Sequence, residues 1–472
     1  MIMQEIKEFL REIVGSKFVS DDLFDRWSYS VDSLIYDSIE PTPPAIVVRP
    51  GSIEEIQQIL RVANTTRTPV YVRGGGTQCS GTRGDRVTTS VLIDMTRMNN
   101  IVEIDEESIT VTAQAGMTWG KLNAELEKAG WRLGYKGPYS GYGSTVGGSV
   151  AYQSNGLGST RYGVVGEEVT NLKVVLPEGG ILQTGTAVNP NSKNYYRYCI
   201  GPDVAGIFIG SLGAFGVIAE VTLRMYPKAD YSAFGSHAFR DYESAHKCYY
   251  DWLKNMVAED VAWYAEDGLK VMVPELAEKG YKSMLTYVVE DVSSELVNAR
   301  KNLLDQIAVE NKGALQDPIY AKAGWIYKFE LLPRWVAKIG TWQWTCHLSS
   351  AGGSLRDLLE VLKFIDSYRE KCEKHNVYSA TISIAHKTCG HVSTSVYYDQ
   401  SNPESIKLAK EMAEGIVKTA AECGGCNYKP GKLWYPYTIM KSPAYREVLA
   451  KLKKSLDPNN IMNPGALTLP LD

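Results

Sequence analysis

Several patterns that would assign this chain to a common class are missing from its sequence. No apolar run of about 18 residues, the length that crosses a bilayer, occurs in it. The segment 1–18 is amphipathic and charged, without the apolar centre of a signal peptide. With 50 basic and 54 acidic residues, the net charge of −4 offers no basic surface for nucleic acid. These absences predict a cytoplasmic protein with no nucleic-acid partner and no integral membrane segment.

Cysteine and histidine are scarce. The 8 cysteines are scattered, which fits reduced thiols better than a disulfide framework. Cys423 and Cys426 form the single C-x-x-C pair, and no second pair stands at zinc or iron–sulfur spacing. We therefore expect two incidental thiols on a glycine turn and no cluster in this chain. Only 6 histidines are present, none before His237.

Glycine, by contrast, is abundant and concentrated. A β-type run, Val70–Val72, ends in Arg73 and three consecutive glycines, followed by Thr77. Successive N–H groups of such a turn can face inward and form an anion site, to which Arg73 would add a charged donor. A tight glycine-rich turn without a ligand is the other interpretation. The stretch by itself leaves both open.

A second glycine-rich tract spans 137–149 and continues through 155–163. High glycine density with few prolines favours backbone held close to a flat ligand over a flexible linker. A third glycine-rich loop, 208–216, precedes the strand that begins at Val217.

The remaining pattern predicts an α+β organisation. A strand–helix–strand unit covers 45–76, with Ser52 as N-cap and Glu55 completing a capping box. After Pro227 glycine thins, and long helices are predicted for 243–256, 290–307 and 355–375, interleaved with strands. This mix is typical of helices covering an antiparallel sheet.

Five motifs in one order resemble a known superfamily. They are Tyr29–Asp32 with 44–50, Arg73–Thr77 with Gly81, Ser144–Gly148 through Gly163 and 176–179, Phe208–Gly216, and Asp457–Gly465. Together they resemble the vanillyl-alcohol oxidase and p-cresol methylhydroxylase (PCMH) superfamily of FAD oxidoreductases, nearest the glycolate oxidase flavin subunit and D-lactate dehydrogenase branch. The resemblance is strong over 25–227 and clear at 457–465.

The resemblance implies an α+β fold: a two-part FAD-binding domain of the PCMH type, with an α+β cap domain over an antiparallel sheet. We expect the FAD-binding domain at 1–227, the cap or substrate domain at 228–425, and a segment at 426–472 that returns to the FAD domain. No G-x-G-x-x-G follows a first strand, which disfavours a Rossmann nicotinamide site.

The same resemblance implies the residues that hold FAD. Some relatives attach FAD through a histidine of the first glycine loop, where this chain has Thr77, so noncovalent FAD is expected. The expected cofactor-binding residues are Arg73, Gly74, Gly75, Gly76, Thr77, Gln78, Gly81, Pro138, Ser144, Thr145, Gly147, Gly148, Asn155, Gly158, Ser159, Arg161, Tyr162, Gly163, Gly213, Gly216, Val217, Ile218 and Asn463.

The chain departs from the hydroxy-acid branch at a motif in which two histidines hold a divalent metal. His386 matches the first histidine, but Ser393 stands at the second, with His391 two residues earlier and Cys389 in place of an aspartate. On a strand His391 and Ser393 share one face, so His391 can still reach the site. A divalent metal is not expected. His386 is interpreted either as a catalytic group or as a hydrogen-bonded core histidine.

A second departure lies before the last helix. Relatives of the hydroxy-acid branch have a histidine there that accepts a proton, whereas this chain has Tyr428 and Lys429 in a tyrosine-rich stretch. The pair resembles the Tyr-Arg pair that binds phenolic substrates in the alcohol oxidase branch, although lysine lacks the bidentate fork of arginine. Tyr428 beside a cation can act as an acid or base. Packing around the terminal helix is the other interpretation.

The predicted function is an FAD-dependent dehydrogenase acting on CH–OH, with a small D-2-hydroxy acid as the first substrate class. Catalytic candidates are His386, His391, Tyr428 and Lys429. Oxidation of a phenolic or aromatic alcohol is an alternative. A flavoprotein subunit that relays electrons to an iron–sulfur or electron-transfer-flavoprotein partner is another, because the chain has no cluster cysteines and reduced flavin needs an outlet.

Overall fold

The structure of the chain is a computed structural model. It describes residues 2–30, 42–77, 87–198, 200–330, 342–351, 355–387, 389–399, 401–427 and 433–469. Four predicted site residues lie outside the described residues: Gln78, Gly81, Tyr428 and Lys429. Within the described ranges no helix is long and apolar enough to cross a membrane.

The chain begins with a four-stranded sheet. Strands β2, β4 and β3 are parallel, with β4 in the middle, and β1 runs antiparallel to β2. The elements are α1 (Ile2–Val14), β1 (Val19–Ser20), α2 (Leu23–Ser28), β2 (Ile46–Val48), α3 (Ile53–Thr66), β3 (Val70–Arg73) and β4 (Val91–Asp94).

Helix α3 shows how local sequence sets this unit. Ser52 caps it by accepting a hydrogen bond from the Glu55 N–H at 3.2 Å. The Glu55 carboxylate reaches back one residue further than a capping box requires, to the Gly51 N–H at 2.6 Å. Ile56, Ile59 and Leu60 are buried on the inner face. The helix thereby packs on the sheet and delivers the chain into β3.

A second, antiparallel sheet has the order β5-β6-β10-β8-β9, and β7 pairs with β10. Its long central strand is β10. The elements are β5 (Ile101–Asp105), β6 (Thr110–Gln114), α4 (Trp119–Lys128), β7 (Trp131–Leu133), α5 (Val146–Ala151), α6 (Ser159–Tyr162), α7 (Val165–Glu168), β8 (Val169–Val175), β9 (Ile181–Gln183), α8 (Ala205–Phe208) and β10 (Val217–Pro227).

The third sheet, called the cap sheet below, is antiparallel throughout, with the order β14-β11-β13-β12-β16-β17-β15. Its strands are β11 (Tyr231–Phe239), β12 (Asp260–Ala265), β13 (Ser283–Asp291), β14 (Ala314–Leu315), β15 (Trp342–Ala351), β16 (Tyr378–His386) and β17 (Cys389–Tyr398). The helices between them are α9 (Tyr242–Asn255), α10 (Glu266–Met272), α11 (Pro274–Glu278), α12 (Ser294–Glu310), α13 (Ile319–Ile326), α14 (Leu355–Ser367), α15 (Arg369–His375) and α16 (Pro403–Cys423).

The two faces of the cap sheet have different neighbours. Side chains of successive residues alternate between the faces. Trp263, Tyr287 and Ala385 lie on the face that is buried with residues of α9, α12, α14 and α16 in one core cluster. Val288, on the opposite face, belongs instead to the core cluster of the first two sheets. The cap sheet therefore turns its second face toward the first two sheets.

The end of the chain returns to the first sheet. After α17 (Pro443–Leu456), the Val70 N–H donates to the Ile461 carbonyl at 2.7 Å, and the Asn463 N–H donates to the Val70 carbonyl at 2.9 Å. The chain passes from the second sheet to the cap sheet between Pro227 and Tyr231. On this basis we propose domain boundaries near residues 227 and 425.

Candidate cofactor cleft and active site

The first glycine tract packs directly against the second. A Cβ atom on Gly74 would lie 2.2 Å from Thr145 Oγ1, and one on Gly75 would lie 1.6 Å from the carbonyl oxygen of Gly143. Gly76 has a φ of +66°, a conformation that L residues rarely adopt. Glycine is therefore required at this turn by close approach at two positions and by conformation at the third.

The second tract is also tightly packed. Thr145 caps α5 by accepting a hydrogen bond from the Gly148 N–H at 3.3 Å. A Cβ atom on Gly147 would lie 2.4 Å from the Cβ of Ala115, which follows β6. The short helix is thereby held between β3 and β6. The backbone of both tracts meets on one side of a single cleft.

This cleft encloses about 1300 Å³, including the part open to solvent. Among the predicted cofactor residues, those that line it are Arg73, Gly74, Gly75, Gly76, Thr77, Pro138, Ser144, Thr145, Gly147, Gly148, Gly213, Gly216, Ile218 and Asn463. The structure thus brings together residues from four separate stretches of the sequence. Their role in holding FAD is our proposal from this arrangement.

The cleft has further lining residues that the sequence analysis did not name as binding residues. They come from the first two sheets, α5 and neighbouring loops: Tyr29, Tyr71, Val72, Leu92, Met95, Ala115, Ser140, Ser149, Ala151, Tyr152, Ser154 and Leu212. Several are apolar strand residues. In the sequence they look like any buried strand residue, so only the folded arrangement identifies them.

A charged network stands at the cleft end of β3. The Arg73 guanidinium carbon lies 4.8 Å from the centre of the Tyr29 ring, which is a cation–π distance. The Tyr29 hydroxyl donates to Asp94 Oδ2 at 2.6 Å. Burial, and then the neighbouring Asp94 carboxylate, raise the pKa of Tyr29, so its ring stays neutral under Arg73. Arg73 is thereby held as a cation at the glycine turn.

These features fit FAD, which combines an anionic pyrophosphate with a flat ring bearing polar groups. The close-packed glycine turn with Arg73 suits the pyrophosphate. Asn155, next to the cleft residue Ser154, is 5% exposed, and neither its Oδ1 nor its Nδ2 has a hydrogen-bond partner among the described residues. An unsatisfied buried polar group costs about 1–3 kcal/mol. A ligand that offers both a donor and an acceptor would remove this cost.

Besides Asn155, six of the described predicted cofactor residues do not line the cleft. These are Gly158, Ser159, Arg161, Tyr162, Gly163 and Val217. Thr160 of α6 shows where this segment lies: its hydroxyl accepts from the Val261 N–H at 2.8 Å and donates to the Ala385 carbonyl at 3.3 Å. Arg161 and Tyr162 line a separate surface depression with Arg132 and Tyr226. The segment therefore joins the cap sheet to the rest of the protein.

The two catalytic candidates on the cap sheet occupy different positions. His386 ends β16, and the Lys387 N–H that follows donates to the Ser159 carbonyl at 3.3 Å and to the Thr160 carbonyl at 3.0 Å. His386 Nδ1 is buried and has no hydrogen-bond partner in the described ranges. Burial lowers the pKa of His386, which keeps its imidazole neutral near neutral pH.

His391 lies within β17 and is 1% exposed. It stands opposite Ile384 of β16, while Ser393 stands opposite Ile382. His391 and Ser393 therefore share the face opposite the one covered by α9, α12, α14 and α16, as period-two alternation predicts. Among the described residues, no three His, Cys, Asp or Glu side chains are grouped closely enough to hold a metal ion.

Two acidic residues at the start of β12 were missed by the sequence analysis. Glu259, which is 1% exposed, pairs with Arg161, and its Oε2 lies 3.5 Å from Arg132 Nη1. Asp260 accepts a hydrogen bond from the Gly158 N–H at 3.0 Å. No motif marks either residue, because their partners lie about a hundred positions earlier in the chain.

Two family models match the chain. One is the FAD binding domain, over residues 44–185, and the other is the FAD linked oxidases, C-terminal domain, over residues 270–467. The first covers both glycine tracts, and the second covers the cap strands β13–β17 and the returning terminus.

Curated relatives match over nearly the whole chain. The chain is 27% identical to the mitochondrial D-lactate dehydrogenase [cytochrome] of Arabidopsis thaliana, over 90% of the chain and 74% of that protein. It is 24% identical to the glycolate oxidase subunit GlcD of Bacillus subtilis, over 99% of the chain and 97% of that protein. Among solved structures, p-cresol methylhydroxylase with substrate bound superimposes with a TM-score of 0.83 at 17% identity, over 100% and 97% of the two chains.

Proposed function

Because the chain belongs to the vanillyl-alcohol oxidase and p-cresol methylhydroxylase superfamily of FAD-dependent oxidoreductases, we propose that it is a dehydrogenase of a small D-2-hydroxy acid. The relatives named D-lactate dehydrogenase and glycolate oxidase subunit, which match along nearly the full chain, support this substrate class. The similarity to p-cresol methylhydroxylase extends to the fold alone. A hydroxy acid is therefore the first compound to test.

When bound, FAD supplies the two-electron acceptor for a hydride that leaves the substrate carbon. The protein's own contribution is to position the substrate and polarise its hydroxyl. In our proposal, Arg73 and the backbone N–H groups of Gly74–Gly76 bind the pyrophosphate. The side-chain amide of Asn155 forms hydrogen bonds with a polar edge of the cofactor. The face of the cap sheet that bears Ile384 and His391 bounds the substrate side.

The observation that carries the proposal is the state of His386. The imidazole of His386 is neutral, and its buried Nδ1 has no hydrogen-bond partner among the described residues. His386 lies where β16 meets the segment that follows the cleft residue Ser154. Such a group offers a hydrogen bond to a polar substrate at the junction of cleft and cap sheet. The serine at position 393 removes the second histidine of the family's metal pair, so we assign substrate binding here to His386 without a metal.

Anaerobic reduction of the flavin tests the substrate class. D-lactate, glycolate or D-2-hydroxyglutarate is expected to bleach the flavin absorbance, because removal of a hydride from the 2-carbon needs no other reactant. His386→Ala should slow this bleaching by about 10²-fold or more, the range typical of a lost polar catalytic group, while FAD content stays unchanged. His375→Ala, in α15 at the far end of the cap, is the matched control and should behave like the wild type.

Bleaching by a phenol or an aromatic alcohol, with every hydroxy acid inactive, would overturn the proposed substrate class. It would favour a role for Tyr428 and Lys429 in binding a phenolate, and Tyr428→Phe should then slow the reaction with the phenol. If the hydroxy acids bleach wild type and H386A equally fast, the class stands and the role of His386 fails.

The cofactor should be released when the protein is precipitated with acid. Thr77 occupies the loop position where some relatives have their histidyl attachment, and threonine offers no equivalent nucleophile. The expected result is a colourless pellet and FAD absorbance in the supernatant. Yellow colour that stays in the washed pellet would contradict noncovalent binding.

We further propose that electrons leave the reduced flavin to a protein partner, either an iron–sulfur protein or an electron-transfer flavoprotein. The sequence has no cysteine set for a cluster of its own, and turnover needs an outlet. Co-purification of a redox protein with the native chain would support this partner class. Rapid reoxidation of the isolated chain by oxygen would count against it.

A further inference from the structure

Asp260 is a buried acidic residue at the start of β12, where the cap sheet meets the segment 158–163. Asp260 is 6% exposed, and its Oδ1 accepts a hydrogen bond from the Gly158 N–H at 3.0 Å. Its other oxygen, Oδ2, accepts no hydrogen bond from any residue that the structure describes. The preceding residue, Glu259, has three arginines around it: Arg161, Arg132 and Arg300. Cations therefore neutralise Glu259, whereas Asp260 has no ion-pair partner among the described residues.

The surroundings of Asp260 place it between the cleft and the cap sheet. Tyr139 lies between Pro138 and Ser140, which both line the cleft. Asp260 and Tyr264 both add to the electrostatic environment of the Tyr139 hydroxyl, so the three side chains are neighbours. Tyr264 lies on the same face of β12 as Asp260, four residues on, and pairs with Ile382 of β16. The carboxyl group thus borders the face that we assign to the substrate.

Two charged groups near Asp260 shift its pKa in opposite directions. Glu259 disfavours ionisation of Asp260, whereas Lys136 favours it. Lys136 itself donates to Glu290 Oε2 at 2.9 Å, so its charge is largely compensated. Tyr139 and Tyr264 are neutral, since burial raises the pKa of both. Burial consequently dominates, and it raises the pKa of Asp260 to about 7.

We propose that Asp260 accepts the hydroxyl proton of the substrate during dehydrogenation. This inference rests on the proposed function. The substrate O–H bond breaks and its proton passes to the Asp260 carboxylate. The C–H bond breaks in the same oxidation, and hydrogen with its electron pair passes to the flavin, so that a C=O bond forms.

A carboxyl group that titrates near neutral pH suits this task. A general base is most effective when its pKa lies near the working pH, and it contributes about 10²–10⁴-fold to rate. His386 is the less effective base, since burial lowers its pKa. We therefore assign proton acceptance to Asp260 and substrate hydrogen bonding to His386.

The test is the pH dependence of anaerobic flavin bleaching by the active hydroxy acid. The wild-type rate is expected to rise with pH and to level off above about pH 7, as Asp260 loses its proton. Asp260→Asn retains an oxygen for the Gly158 N–H but cannot accept the proton. It should bleach about 10²–10⁴-fold more slowly, without the rise near neutral pH, and with normal FAD content. Asp260→Glu, which restores a carboxylate, should regain a pH-dependent rate.

Asp267→Asn is the matched control. Asp267 is a partly buried aspartate of the cap, but its Oδ2 accepts from Ser379 at 3.0 Å and from Thr381 at 2.8 Å. Its substitution removes a partly buried carboxylate without touching the cleft. The D267N protein should keep the wild-type pH profile of bleaching.

Thermal unfolding of the FAD-loaded proteins gives a second readout that does not depend on activity. A carboxyl whose pKa is raised by folding destabilises the folded state progressively between its ordinary pKa, about 4, and its folded value. The Tm of D260N relative to wild type should therefore increase from about pH 4 to about pH 7 and stay level above that.

Two results would overturn the inference. One is D260N bleaching at the wild-type rate, with the wild-type pH profile, for whichever compound reduces the wild-type flavin. The other is a Tm difference between D260N and wild type that does not change with pH. Failure of every hydroxy acid to bleach the wild type would instead overturn the proposed function, and the unfolding measurement would still report on Asp260.

Discussion

Replacing Gly75 by alanine is expected to lower the FAD content of the purified protein. The new Cβ would lie 1.6 Å from the carbonyl oxygen of Gly143, so the two glycine tracts that form one side of the cleft must move apart. Neither contacting atom belongs to a flexible side chain, and overpacking of this kind costs about 1–3 kcal/mol or more. If that cost falls on the FAD-bound state, binding weakens by roughly 5- to 150-fold. The FAD content of the purified protein, read from its absorbance ratio, is the measurement.

Gly180→Ala is the control for this substitution. Gly180 lies in the turn between β8 and β9, where a Cβ atom would meet nothing closer than Leu176 Cδ1 at 4.0 Å. Its FAD content should equal that of the wild type. Full FAD content in Gly75→Ala as well would show that the two tracts do not form a rigid wall of the site.

Replacing Lys453 by alanine is expected to cause a large decrease in the free energy of unfolding. Lys453 is 4% exposed, and its Nζ donates to Asp457 Oδ2 at 2.7 Å and to the Ala214 carbonyl at 2.8 Å. Asp457, which is 1% exposed, would be left as a buried carboxylate without its cation. Breaking a buried ion pair by removing one partner costs about 3–5 kcal/mol. The midpoint of denaturant unfolding, followed by flavin and tryptophan signals, measures the effect.

The same substitution should weaken FAD binding. The Lys453–Asp457 pair organises the terminal segment: the Ile461 and Met462 N–H groups donate to the Asp457 carboxylate, and Asn463, which lines the cleft, follows directly. Lys454→Ala removes the neighbouring exposed ammonium and should leave both stability and FAD content unchanged. An equal unfolding midpoint for the two variants would mean that the buried pair does not secure the terminus.

Local sequence predicted the parts of the fold that local physics controls. The Ser52 cap was predicted correctly, because a serine oxygen three residues before Glu55 satisfies an otherwise free helix N–H. The helix predicted from Glu290 begins instead at Ser294, since Glu290 and Asp291 still belong to β13. There Glu290 accepts from the Trp325 Nε1–H and from Lys136. Those partners are distant in sequence, so helical periodicity alone extended the helix into the strand.

FAD was predicted from the resemblance that five ordered motifs carry, and three of those motifs are rich in glycine. Glycine marks positions where two backbone segments approach closely or where φ is positive, so each such position can be recognised in the sequence. The sequence analysis therefore named most of the cleft residues contributed by the two tracts. It missed the apolar lining from Leu92, Met95 and Ala115, because burial in a core and burial against a ligand select the same side chains.

For residues 158–163, the sequence pattern alone does not predict which part of the fold they contact. Their glycines continue the second tract, which made them candidates for the cofactor, yet the folded chain uses Thr160 and Arg161 to join β12 and β16 to the first two sheets. Whether a residue faces the cleft or the junction depends on which strand packs beside it. That choice is made by the cap sheet, more than a hundred residues later.

The sequence by itself marked the glycine turns that line the cleft and, with a threonine at position 77, excluded a histidyl attachment there. Those features depend on backbone conformation and on the identity of one residue. Only the tertiary structure decided that Asp260 lies beside Gly158, 102 residues earlier in the chain, where one of its oxygens accepts the Gly158 N–H. Proton affinity depends on burial and on neighbouring charges, and neither exists until the cap sheet packs on the cofactor tract.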